Sequence, residues 1–247
     1  MSLACIERPS PNFNERPSGR GVDILLLHYT GMESAEAAAS RLCDPAAKVS
    51  SHYLVDEAGA VTRMVPEHLR AWHAGAGNWA GETDINGCSI GIEIANGGHD
   101  FGSPPYPDVQ MRAVEALCLD ILSRHAIPAR RVLGHSDIAP GRKADPGEWF
   151  DWARLSRAGI GVWIEPEPVM EGPVLSEGDR GDTVAELQYL LADYGYGIEV
   201  LGRYDEMTKA VVAAFQRHFR PEKVDGVADV STVATLRRLL DTVKSTA

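Results

Sequence analysis

The chain has no uninterrupted apolar run of the roughly 18 residues that a membrane-spanning helix needs. It is also short of positive charge. Lys and Arg number 24 against 35 Asp and Glu, a formal charge of -11 over 247 residues. That balance argues against nucleic acid and anionic membrane as partners, because both reward clustered Lys and Arg; solubility is reason enough for it. Cysteine is sparse: Cys5, Cys43, Cys88 and Cys118 are widely spaced, form no C-x-x-C pair and mostly lie in apolar segments. They read as buried free thiols rather than disulfides or zinc ligands. The opening MSLACIERPSPNFNERPSG lacks the basic and apolar regions of a signal peptide. Thiols and N-terminus together lead us to expect a cytoplasmic protein, or a periplasmic or envelope-associated one if a leader has been removed. No coiled-coil heptad demands a protein partner.

What is present is an ordinary globular composition, 44% hydrophobic and 24% charged, with a break at Glu165-Pro166-Glu167-Pro168 that continues to Pro173. We read residues 165–174 as an extended linker between an α/β domain, 1–164, and a helical domain, 175–247. Before the linker, strands and helices alternate. Val22 to Leu27 suits a strand buried on both faces, Ser34 caps a short alanine-rich helix, and residues 52–55 and 61–65 flank a turn as a hairpin. CSIGIEIA from Cys88 alternates as a strand, and Val114, Leu117, Cys118, Ile121 and Leu122 form a helical stripe after Asp108. Trp149, Phe150 and Trp152 start a last helix. The fold class is α/β, a mixed sheet flanked by helices. After the linker, a T-x-x-E capping box at Thr183 and Glu186 opens the first of three amphipathic helices, expected to pack as a small bundle of about 70 residues.

The chemistry concentrates in GHSDIAPGRKADPG, Gly134 to Gly147, which sets His135, Lys143 and Asp145 on one turn-rich loop after the short strand Val132-Leu133. A zinc hydrolase needs about three protein ligands and one open position. The loop offers two, His135 and Asp145, and His28 at the end of the first apolar strand is the best third. A lone histidine there is more often a hydrogen-bonded core residue; beside the other two it reads as a ligand. Glu93, between two isoleucines, is costly unless that face is exposed or lines a cleft, where it serves as general acid or base. Lys143 is placed to stabilise an oxyanion. Trp72, His73, Trp79 and Asn86 fall where a groove wall would be, with His73, Trp72 and Asn86 the candidate substrate contacts. His52 reads as structural; His68, His99, His125 and His218 receive no function.

HYTG at His28, SSHYLV from Ser50, RAWHAG from Arg70, SIGIEIAN from Ser89 and the Gly134 loop together resemble the zinc N-acetylmuramoyl-L-alanine amidases of the AmpD and AmiD kind, over roughly residues 8–160. The resemblance implies a surface zinc groove with one Zn2+ held by His28, His135 and Asp145, Glu93 as catalytic acid/base and Lys143 stabilising developing charge. The substrate is then peptidoglycan or a muropeptide, cut between the lactyl group of N-acetylmuramic acid and L-alanine. The C-terminal region resembles the three-helix peptidoglycan-binding domain of wall hydrolases, through Gly178, Gly181, Leu187-Gln188, Thr208, Phe215-Gln216, Asp225-Gly226 and Thr232; the usual glycine before Thr208 is absent. A wall-binding domain favours the periplasm, against the thiols. The competing readings are a recognition module that binds wall fragments without cutting them, and a zinc hydrolase of another amide or ester.

Overall fold

The computed structural model describes residues 4–245. Strands β1 (Ile6–Glu7), β2 (Phe13–Glu15) and β3 (Ile24–Tyr29) precede helix α1 (Ala35–Cys43), and β4 (Tyr53–Val55), β5 (Val61–Arg63) and β6 (Leu69–Ala71) lead to a single turn, α2 (Ile85–Cys88). Then follow β7 (Ser89–Ile94), α3 (Asp108–Leu122), β8 (Val132–Gly134), the one-turn α4 (His135–Ile138) and α5 (Trp152–Arg157). Helices α6 (Asp182–Tyr194), α7 (Glu206–Phe219) and α8 (Val230–Ser245) complete the chain. Six strands form one mixed sheet in the order β1-β5-β4-β7-β3-β8, with β2 and β6 as a separate antiparallel pair.

Strand β3, one in from the β8 edge, is parallel to both β7 and β8. Its Ile24, Leu25, Leu26 and Leu27 are all fully buried, as a continuous apolar run between two covered faces requires. Leu25 and Leu27 pack with Val114, Leu117 and Ile121 of α3. Ile24 and Leu26 belong to the other core, which also holds Leu133, Ile138 and, from the C-terminal helices, Leu187, Phe215 and Phe219. The helical region therefore does not close a core by itself. Three short helices leave an apolar face uncovered, and the second face of the sheet supplies what covers it. Trp79 plugs the junction at 1% exposure, with its ring edge-on to Tyr194 and Tyr196. Two hydrogen bonds close it, the Ala80 N–H donating to Gly195 O at 2.7 Å and the Arg130 guanidinium to Tyr194 O at 2.8 Å.

Local chemistry explains the element ends. Ser34 Oγ accepts the Ala37 N–H at the start of α1, and Asp205 Oδ1 accepts that of Thr208 at the start of α7. Two expectations are corrected. Helix α5 starts at Trp152, where the Asp151 carboxylate accepts the Arg154 N–H, so Trp149 and Phe150 lie in the turn before it. Helix α6 starts at Asp182, because Gly181 at φ 117 turns the chain into the helix early; Thr183 is inside it, and Glu186 pairs with Arg237 of α8 instead of capping. Residues 165–174 have no regular structure, yet Glu167 is strapped to α8: its N–H donates to Thr235 Oγ1, its carbonyl accepts from Ser231 and its carboxylate pairs with Arg238. Among the described residues no helix is long and apolar enough to cross a membrane.

Candidate metal centre and active-site groove

Parallel pairing of β3 with β7 places His28 in register with Glu93. Register partners project to the same face of a sheet, so both side chains reach one groove near the carboxyl ends of the strands, where open parallel sheets hold ligands. The groove encloses about 530 Å³ and is lined by His28, Trp72, Glu93, His135, Lys143 and Asp145, among others. Strand β8 delivers His135 directly. A Cβ on Gly134 would stand 2.7 Å from Pro146 Cδ, so the glycine lets the loop fold back over the strand end. Ser136 N–H then donates to Asp145 O at 2.9 Å and fixes the two ends of the loop together.

His28 Nδ1, His135 Nδ1 and Asp145 Oδ2 form a triangle with sides of 2.9, 3.1 and 3.0 Å. Ligands about 2.0–2.1 Å from a tetrahedral zinc ion sit roughly 3.3 Å apart, so the triangle fits one face of such a site. The outer ring nitrogens set the tautomers. His135 Nε2 donates to Ala74 O at 2.8 Å and His28 Nε2 lies 3.0 Å from His73 Nδ1, which leaves both Nδ1 lone pairs for a cation. All three residues are at most 5% exposed. Burial, reinforced by His135, pulls the His28 pKa down to about 4, favouring the neutral imidazole that a metal requires. Burial alone would raise Asp145, but His135 and His28 override it and hold the carboxyl below its usual range. Among the described residues this is the group of three able to hold a metal ion.

Glu93 Oε2 is shut from solvent and has no hydrogen-bond partner among the described residues. Burial, and secondarily the Asp145 charge, push its pKa up to about 8. A carboxyl group so placed is costly, which makes Glu93 the candidate for acid–base chemistry in this groove. Lys143 lines the same groove and makes no ion pair among the described residues.

The candidate substrate contacts divide. Trp72 lines the groove, its indole N–H tied to Asn14 Oδ1 at 2.6 Å so that only its ring is offered. His73 reaches the groove but stands behind His28, its Nε2 3.2 Å from Ser89 Oγ. Its ring lies against Gly91, where a Cβ would approach to 2.5 Å. Asn86 is corrected: it is buried away from the groove, and its Oδ1 accepts the N–H groups of His73 and Ala74, so it positions that segment instead of meeting substrate. His52 is structural as expected, with Nδ1 accepting Gly91 N–H and Nε2 facing Leu69 O. Tyr29 and His99, which the sequence did not single out, also line the groove, with the Tyr29 hydroxyl 3.0 Å from His99 Nδ1 and the Tyr29 ring stacked on Trp149. The adjacency of Tyr29 to His28 was the one available signal.

A cation-competent trio beside an unpaired carboxylic acid and a lysine, in an open groove at strand ends, defines a hydrolytic enzyme with acid–base chemistry. Comparison with known proteins makes the class specific. Residues 18–148 match the N-acetylmuramoyl-L-alanine amidase family, and residues 180–236 match a peptidoglycan binding domain. N-acetylmuramoyl-L-alanine amidase AmiD of Escherichia coli (strain K12) is 36% identical over 236 residues, 89% of this chain and 83% of the relative. Its structure in complex with anhydro-N-acetylmuramic acid-L-Ala-D-gamma-Glu-L-Lys superposes with a TM-score of 0.77 at 33% identity, covering 94% of this chain and 98% of that one. AmpDh3 of Pseudomonas aeruginosa, in complex with anhydromuramic pentapeptide, gives 0.74 at 31% identity, with 96% and 98% covered. The chain belongs to the N-acetylmuramoyl-L-alanine amidase family.

Proposed function

We propose that this chain uses one zinc ion to hydrolyse the amide between the lactyl group of N-acetylmuramic acid and L-alanine, in muropeptides or peptidoglycan, during wall turnover or recycling. The observation that carries the reading is that Glu93, with one carboxyl oxygen left unpartnered, lines the same groove as the His28–His135–Asp145 triangle. A module that only bound wall fragments would have no use for a carboxyl group with an oxygen shielded and left unpartnered. The family matches support a catalytic unit over 1–164 and a helical unit over 175–247, joined by 165–174.

His28, His135 and Asp145 would hold the zinc, which when bound supplies Lewis acidity for polarising a carbonyl and acidifying water. The Glu93 carboxylate takes a proton from the attacking water and returns it to the amide nitrogen as the C–N bond breaks. Its raised pKa suits a group that must accept and then give a proton near neutral pH. The Lys143 ammonium offsets charge on the carbonyl oxygen in the transition state. The products are a lactyl carboxylate and a free L-alanine amine. The buried thiols of Cys88 and Cys118 support a reducing, cytoplasmic setting, which cell fractionation tests.

Zinc stoichiometry and muropeptide cleavage, measured for wild type and Glu93→Gln, test the proposal. The variant should bind one zinc and lose activity by about 10²–10⁴-fold. Full activity in the variant, or active metal-free protein, overturns it.

A further inference from the structure

The metal loop carries a second buried carboxylate that the reaction does not use. Asp137, 1% exposed, lies in α4 two residues after His135. Its Oδ2 accepts the Gly134 N–H at 2.8 Å and faces His218 Nδ1 of α7 at 2.8 Å, while its Oδ1 accepts the Tyr196 hydroxyl at 2.9 Å. Two of its three donors therefore come from the C-terminal helical unit. His218 is itself held rigidly, 3% exposed and stacked on Trp152 with ring centroids 3.8 Å apart. Trp152 also lies against Gly134, where a Cβ would come within 3.3 Å of its ring.

We propose that His218 and Tyr196 of the helical unit are positioning residues for the metal centre, acting through Asp137 to fix the one-turn helix that presents His135. This rests on the zinc amidase reading above. A one-turn helix has too few internal hydrogen bonds to hold its own orientation. The carboxylate of Asp137 supplies what is missing, binding the turn's N-terminal backbone on one side and two side chains of α7 and the α6–α7 loop on the other. A buried carboxylate that loses donors is destabilised unless the local structure shifts to let in water. Any such shift moves His135, whose Nδ1 must stay within the triangle. The helical unit is then part of the catalytic apparatus, whatever its own affinity for the wall.

The full-length chain tests this. Metal-free wild type, His218→Ala, His218→Asn and Arg130→Met are titrated with zinc against a chelating indicator, and muropeptide cleavage is measured at saturating zinc. His218→Asn keeps a side-chain N–H near the place of Nδ1. Arg130→Met cuts a different bond between the two units, that to Tyr194 O. His218→Ala should weaken zinc binding by about 10-fold or more, as loss of a group supporting a metal ligand does, and lower kcat more than it changes KM. His218→Asn should recover most of the affinity, and Arg130→Met should keep it. Tyr196→Phe, which removes one hydroxyl, should show a smaller loss in the same direction even if His218→Ala fails to fold. Unchanged zinc affinity in both His218→Ala and Tyr196→Phe, or an equal loss in Arg130→Met, overturns the inference. A wild type that binds zinc but spares muropeptides would instead overturn the amidase reading and leave the zinc comparison standing.

Discussion

The loop from Gly134 to Gly147 turns one buried carboxylate to each side of itself, and the two are surrounded differently. Asp137 meets only hydrogen-bond donors: a backbone N–H, a tyrosine hydroxyl and the His218 ring. Asp145 meets two imidazole nitrogens whose outer partners leave their lone pairs facing it. Similar burial and the same residue type thus give a donor-bonded carboxylate on one side and a candidate cation site on the other. The difference lies in which way the neighbouring protons point. A carboxylate saturated by donors is finished chemically, whereas three converging lone-pair atoms are incomplete until a positive charge joins them.

The largest effect should come from breaking the unsaturated side. Asp145→Ala leaves two imidazoles, so zinc should be lost from the protein after dialysis and cleavage fall to background, as metal analysis and product chromatography would show. Retained stoichiometric zinc would count against the ligand assignment. On the donor-saturated side, Asp137→Asn keeps the shape but replaces an acceptor oxygen with an amide that cannot accept from every donor. It should destabilise the fold by about 3–5 kcal/mol, read as a lowered midpoint in denaturant. A smaller perturbation tests the support behind His28. Gly91→Ala would press a methyl into the His73 ring, 2.5 Å from its Cγ, and should weaken zinc binding by about 10-fold.

The smallest effect is expected far from the loop and serves as a control. Glu67 accepts bonds from Arg124, His125 and the Tyr53 hydroxyl; these override the upward push of burial and hold its pKa at about 2. A carboxyl lowered on folding stabilises the protein above its unfolded value near 4.3 and loses that contribution as pH falls towards the folded value. The stability gap between wild type and Glu67→Gln should therefore be constant near neutrality and close on acidification towards about pH 2, with zinc content at neutral pH unchanged. A gap independent of pH would contradict the assignment.

Much of the catalytic half is legible in the sequence because its signals are local. The apolar run before His28 and the alternation around Glu93 each announce a strand, and the Gly134 loop carries two candidate ligands a few residues apart. Strand pairing then brings His28, Glu93, His135, Lys143 and Asp145 around one groove. What stays hidden is non-local. Nothing near Asp137 points to His218, 81 positions away, and Asn86 shares its amide chemistry with any substrate contact, so only its burial reveals that it holds the backbone of His73 and Ala74. The false capping box at Thr183 has a different cause, since the pattern matched but Gly181 had already turned the chain into the helix.

The central claim, that the groove cuts one particular amide, is tested most directly by digesting a muropeptide in ¹⁸O-labelled water and locating the label by mass spectrometry. The account predicts one ¹⁸O in the lactyl carboxylate of the muramic acid product and an unlabelled peptide with a free L-alanine amine. Label in a carboxyl group of a released peptide fragment, or at a sugar carbon, would contradict it.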